Sequence, residues 1–163
     1  MDFAERLVSL AYQSLGYFVI EGASAGQKQA DLLAVRIDAQ DCVSERLHIE
    51  VQVSVNPVGV LRGQGALSSA AAGPEQAAGD YIQKKFLDVG LVSVVQQRLG
   101  SQDYTRVFVH GRLNDKAQLD VFRARGIECV PIGRLIAKAL STKPVCELKR
   151  QVLVADLLKI TEA

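Results

Sequence analysis

The chain lacks any long hydrophobic run: nothing in its 163 residues approaches the roughly 18 consecutive apolar residues of a membrane span. Its first residues, Met1-Asp2-Phe3-Ala4-Glu5-Arg6, lack the basic start and apolar centre of a secretory signal. A cytoplasmic setting with no membrane partner is therefore expected. Cysteine is scarce and scattered. Cys42, Cys129 and Cys146 are odd in number, far apart and not in CxxC form, which argues against a disulfide framework or a zinc site and for plain reduced thiols. GxxxxGKS, GxGxxG and HExxH are absent, so NTPase, dinucleotide-binding and zinc-protease chemistry get no support. No helix-turn-helix or zinc finger is legible, so nothing argues for base-specific reading.

What is present is an ordinary globular composition. With 48% hydrophobic and 23% charged residues, the chain reads as a single domain over residues 1–163, able to bury a core without disulfides or metals. The net charge of +1 hides an asymmetry. Residues 1–57 carry 8 acids and 4 bases, a net of −4, and residues 58–163 carry 10 and 15, a net of +5. An acidic segment beside a basic remainder suits a cation site next to a polyanion groove; chance composition is the bland alternative.

Apolar spacing gives the elements. Phe3, Leu7, Leu10, Ala11 and Leu15 recur at three and four residues, which predicts an amphipathic helix opened by Asp2 and ended by Gly16. A strand follows at Tyr17–Ile20, then a small-residue loop at Gly22–Gln29. Strands at Ala30–Asp38 and Leu47–Val55 form a hairpin around Ala39–Arg46. In the latter strand Leu47, Ile49, Val51 and Val53 point one way, and His48, Glu50, Gln52 and Ser54 the other. A Gly/Ala/Ser-rich stretch at 58–79 reads as a flexible loop, with a helical option at Ala66–Ala72. A helix beginning at Pro74 or Asp80 runs to about Val89. Val92–Leu99 is ambiguous between helix and strand. Then come a strand at Thr105–His110, a helix at Asp115–Arg125 capped by Asn114, a strand at Ile127–Pro131, a helix at Arg134–Leu140 and a closing helix at Leu153–Ile160. Strands early and βα units late predict an α/β fold with a mixed central sheet flanked by helices.

Two acids stand out. Asp31 opens the strand continued by Leu32-Leu33-Ala34-Val35, and Glu50 sits mid-strand among aliphatics. Carboxylates are rarely buried unpaired, and two on adjacent strands repel each other. A divalent cation held by their oxygens resolves both problems. The alternative is a solvated sheet face carrying Glu50 with His48 and Gln52.

The sequence of a helix with Glu5, a Gly-Tyr strand, a loop, Asp31 at a strand start and Glu50-Val51-Gln52 in the paired strand resembles the PD-(D/E)XK, or restriction endonuclease-like, superfamily. The likeness is nearest to its Holliday-junction-resolvase and restriction-enzyme-like branches. It spans residues 3–56, with element order alone matching from Asp80 to Leu140. The resemblance implies a restriction endonuclease-like fold and a DNA endonuclease, a hydrolase of phosphodiester bonds that leaves a 5′-phosphate. It implies Mg²⁺ or Mn²⁺ held by Asp31, Glu50 and the Val51 carbonyl, with Glu5 as an assisting acid. Members often dimerise to cut two strands, so a homodimer also fits.

The sequence departs from the family at three points. Ala30 stands where a proline precedes the first acid, and Asp31 and Glu50 are 19 residues apart, a spacing that the Ala39–Arg46 turn absorbs. Gln52 stands where the family carries the lysine that orients the attacking water. Gln donates a hydrogen bond but brings no positive charge, and losing one preorganised donor costs roughly 10²–10³ in rate. Three outcomes follow: Gln52 suffices, a cation arrives from elsewhere, or the site is silent. Lys84 and Lys85, in Tyr81-Ile82-Gln83-Lys84-Lys85-Phe86, are the candidates for that cation. With Ile82 and Phe86 facing the core, Lys85 can skirt the site, whereas a surface lysine pair is the plainer reading. The catalytic set is thus Asp31, Glu50, Gln52, Lys85 and Glu5. Lys28, Arg62 and Lys84 are candidate nucleic-acid contacts, within a basic track that includes Arg98, Arg106, Arg112, Arg123 and Arg125. His48 and His110 read first as structural. A silent binding module of the same fold, acting on nucleic acid or protein, and an unrelated α/β small-molecule enzyme with an apolar pocket elsewhere, are the competing functions.

Overall fold

A computed structural model describes residues 2–26, 28–53, 73–113 and 117–142. The first helix, α1 (Phe3–Ser14), opens with a capping box: the Asp2 carboxylate accepts the Glu5 N–H, and the Glu5 carboxylate accepts the Asp2 N–H. Gly16, at φ 88°, ends it, in the left-handed region that glycine adopts without strain. Three antiparallel strands follow: β1 (Tyr17–Ala25), β2 (Lys28–Ile37) and β3 (Val43–Gln52). Helices α2 (Pro74–Lys85) and α3 (Val89–Leu99) lead to β4 (Thr105–His110), and α4 (Ala117–Ala124) leads to β5 (Ile127–Pro131) and α5 (Ile132–Ser141). The strands lie in the order β1-β2-β3-β4-β5, with β3, β4 and β5 parallel. The architecture is an α/β fold with a five-stranded mixed sheet flanked by helices.

Three expectations change. The small-residue stretch at Gly22–Gln29 is no loop; it continues β1 and begins β2, with the reversal at Gly26. Its small residues serve a close helix approach: Ala23 and Ala30 are buried with Leu91, Val95 and Leu99 of α3. The ambiguous Val92–Leu99 segment is helix. The Asp88 side chain accepts the Leu91 N–H at its start, and Gly100 terminates it at φ 63°. Helix α2 begins at Pro74 and stops at Lys85 rather than near Val89. Residues 74–79 of the expected loop are instead the first turns of α2, and its 58–72 part, with Arg62, lies outside the described residues, as do Asn114 and the closing helix at Leu153–Ile160.

Alternation sorts the sheet into two faces. Leu32, Ala34, Leu47, Ile49, Val51, Val107 and Val109 pack with Val8 of α1 and Leu135 of α5. Phe108, on the opposite face, packs with Tyr81 and Ile82 of α2, with Phe86 just past its end, and with Phe122 of α4, whose ring stacks on it at 4.3 Å. Burying each such ring contributes roughly 2–3 kcal/mol. Helix α2 is thereby laid over the face that carries His48 and Glu50. No helix among the described residues is long and apolar enough to cross a membrane.

Candidate functional site

The β2–β3 ladder ends with Leu32 paired to Ile49. One position further, the register sets Asp31 against Glu50, and side chains take over from the backbone. The Val51 N–H donates to Asp31 Oδ2 at 2.9 Å, and the Asp31 N–H donates to Glu50 Oε1 at 3.3 Å. Each carboxylate thus satisfies an amide that the parting strands leave free. The Glu50 side chain is fully buried and that of Asp31 is 11% exposed, so the expectation of a solvated Glu50 face does not hold. Alternation sets which way a side chain points; the later helix α2 decides that this side is dry.

Lys85, the last residue of α2, closes the pair. Its Nζ lies 2.9 Å from Asp31 Oδ1 and 2.7 Å from Glu50 Oε2. Phe86, fully buried beside it, anchors the helix end. His48 completes the cluster, with Nε2 3.1 Å from Glu50 Oε1 and its ring against Phe86 at 5.1 Å.

Burial dominates the electrostatics. It pushes the Glu50 carboxyl well above the usual carboxylate range, helped by the nearby Asp31 charge. It lowers His48 to about 3, helped by Arg106, so the imidazole is neutral at ordinary pH. Burial also opposes the Lys85 charge, but the attraction of Glu50 and Asp31 outweighs it and the pKa rises. Lys85 is therefore an ammonium that donates hydrogen bonds, not a base. The cluster holds two carboxyls, one fixed cation and a neutral imidazole.

The structure brings Asp31, Glu50, Val51 and Lys85 together. It does not bring in the others. Glu5 spends its carboxylate on the Asp2 N–H at the start of α1, 2.9 Å away. Gln52 is half-buried; its backbone carbonyl accepts the Gly111 N–H, and among the described residues no hydrogen bond joins its side chain to the carboxylates. Lys28 pairs with Asp88, tying the β1–β2 hairpin to the start of α3. Lys84 is exposed on α2. Among the described residues no group of three or more His, Cys, Asp or Glu side chains is arranged to hold a metal ion. His48 is a hydrogen-bonded sheet histidine, as its place in the strand predicts, and its partner is Glu50. Its place two residues before Glu50 gave the shared face, but the shared face alone does not show a contact.

A hollow of about 570 Å³ lies at the other end of β3 and β4, by Tyr12, Glu45, Arg46, Tyr104, Arg134 and Lys138. Acids and bases mix along it, which does not match the apolar pocket expected of an unrelated small-molecule enzyme.

No family model matches the chain, and no curated protein matches it. A solved crystal structure of a protein of unknown function, AF1548, is similar in fold, with a TM-score of 0.54 at 16% identity. The match covers 95% of this chain and 78% of that one. A likeness at this identity shows the fold alone.

Proposed function

We propose that this chain is a metal-dependent DNA endonuclease of the restriction endonuclease-like kind. The observation that carries the reading is the Lys85 ammonium set on two buried carboxylates from adjacent strands. The donor set suits Mg²⁺ or Mn²⁺: hard carboxylate oxygens, with an ammonium already standing as a cation on Asp31 Oδ1 and Glu50 Oε2. Asp31 and Glu50 would hold the ion, with the Val51 carbonyl as a further oxygen donor. Such an ion lowers the pKa of bound water and polarises a phosphoryl oxygen.

The chain's own groups divide the remaining work. Asp31 and Glu50 would hold the ion, which would in turn fix the position of the reacting phosphate. Lys85 holds the attacking water by hydrogen bond and offsets charge growing on the phosphate, supplying what Gln52 lacks. Water adds to phosphorus and the bond to the 3′ oxygen breaks, leaving a 5′-phosphate and a 3′-hydroxyl that takes up, through solvent, the proton the water gives up. A homodimer would present two such sites to the two strands of a duplex. A competing reading, a silent binding module, draws on one observation: every oxygen of the two carboxylates already has a protein partner.

The test is incubation with single-stranded, duplex and branched DNA in Mg²⁺ and in Mn²⁺, beside a D31N/E50Q double variant prepared identically. Metal-dependent cutting that disappears in the variant is the expected result. Cutting by neither protein, with wild type folded, overturns the endonuclease reading in favour of the silent module.

A further inference from the structure

Glu50 reaches the shared cation position through one oxygen only. Oε2 faces Lys85 at 2.7 Å, while Oε1 is turned inward to the Asp31 N–H at 3.3 Å and to His48 Nε2 at 3.1 Å. His48 itself is fully buried on β3. Its ring is wedged between Phe86 at 5.1 Å and Tyr104 at 6.3 Å, between centroids, so it cannot turn away without disturbing both. Its other nitrogen, Nδ1, has no partner among the described residues. A buried imidazole with one unsatisfied nitrogen is costly to keep in a core that a phenylalanine would fill. The hydrogen bond to Glu50 is what that cost secures.

We infer that His48 is a positioning residue: its Nε2–H holds Glu50 Oε1 and so fixes Oε2 as the oxygen presented to a divalent cation. With one oxygen tethered, the Glu50 carboxylate cannot rotate about its last torsion, which is broad for a glutamate. This rests on the metal-site reading above and deepens it. Outer partners of this kind orient a ligand, and their loss weakens metal binding by roughly 10–100-fold.

The test measures Mn²⁺ affinity by calorimetry and electron paramagnetic resonance, on wild type, H48F, H48Q and H48N. H48F keeps the packing against Phe86 and Tyr104 and removes the donor. H48Q places an amide N–H where Nε2 lies, and H48N carries an amide too short to reach Oε1. Expected is a loss of roughly 10–100-fold in H48F and H48N, with H48Q near wild type. A purely packing role would leave H48F binding Mn²⁺ as wild type does, and that result overturns the inference. If H48F fails to fold, H48N against H48Q decides, and equal affinities overturn it. Wild type that binds no Mn²⁺ overturns the metal site and this role together, whereas wild-type binding unchanged by the variants removes the role of His48 alone.

Discussion

Lys85 Nζ lies 2.7 Å from Glu50 Oε2, although the two residues belong to different elements, the end of α2 and the C-terminal part of β3. The same ammonium bridges to Asp31, so a single helix end neutralises part of a buried acid pair. Under the proposed endonuclease reading, Lys85 of α2 supplies the positive charge that Gln52 of β3 does not.

Replacement of Lys85 should therefore cost more than replacement of Gln52. K85A is expected to lower metal-dependent DNA cleavage by roughly 10²–10³, and Q52A by far less. Breaking the partly buried ion pair should also destabilise the fold by roughly 3 kcal/mol, read from urea unfolding. A Q52A loss equal to that of K85A would return the water-positioning role to β3.

The pH dependence of stability in chelator should carry both buried groups. His48 folds neutral with a pKa near 3 against 6.5 unfolded, so its contribution is present above 6.5 and lost as pH falls toward 3. Glu50 is shifted the other way, above 4.5, so its contribution is present below 4.5 and lost as pH rises. Just above 4.5 the two therefore act in opposite directions. H48F removes one of them. The stability of wild type relative to H48F should then rise as pH climbs from about 3 toward 6.5. A constant difference would show that His48 titrates alike in both states.

Glu5 should separate cleanly from the chemistry. E5A removes half of a capping box and is expected to cost roughly 1 kcal/mol of stability. Mn²⁺ affinity and cleavage should not change. A tenfold fall in Mn²⁺ affinity would restore Glu5 to the site.

Phe86 is the mechanical base of Lys85. F86A should destabilise by roughly 3–5 kcal/mol. Under conditions where the variant remains folded, it should also lose cleavage activity, because the helix end that carries the ammonium is no longer seated. Full activity in folded F86A would show that Lys85 is placed without it.

Much of the frame was legible because it is written in local spacing. The period of α1, the alternation from Leu47 to Val53 and the β4 and β5 strands depend only on neighbours in the chain. The small residues of 22–29 misled for the converse reason. A strand built of Gly, Ala and Ser has no side-chain pattern, and its extension depends on α3 lying close above Ala23 and Ala30.

By itself, the sequence of this protein determined which residues share a face: Glu50 with His48, opposite Ile49 and Val51. It also marked Asp31 and Glu50 as acids in apolar strands. Only the tertiary structure decided that their face is dry, that Lys85 rather than Lys84 meets them, and that Glu5 serves its helix instead. Those outcomes depend on where α2 comes to rest, which is set by Tyr81, Ile82 and Phe86 packing on Phe108 and Phe122. Periodicity records direction along one element; burial and charge pairing arise only when a second element, distant in sequence, covers the first.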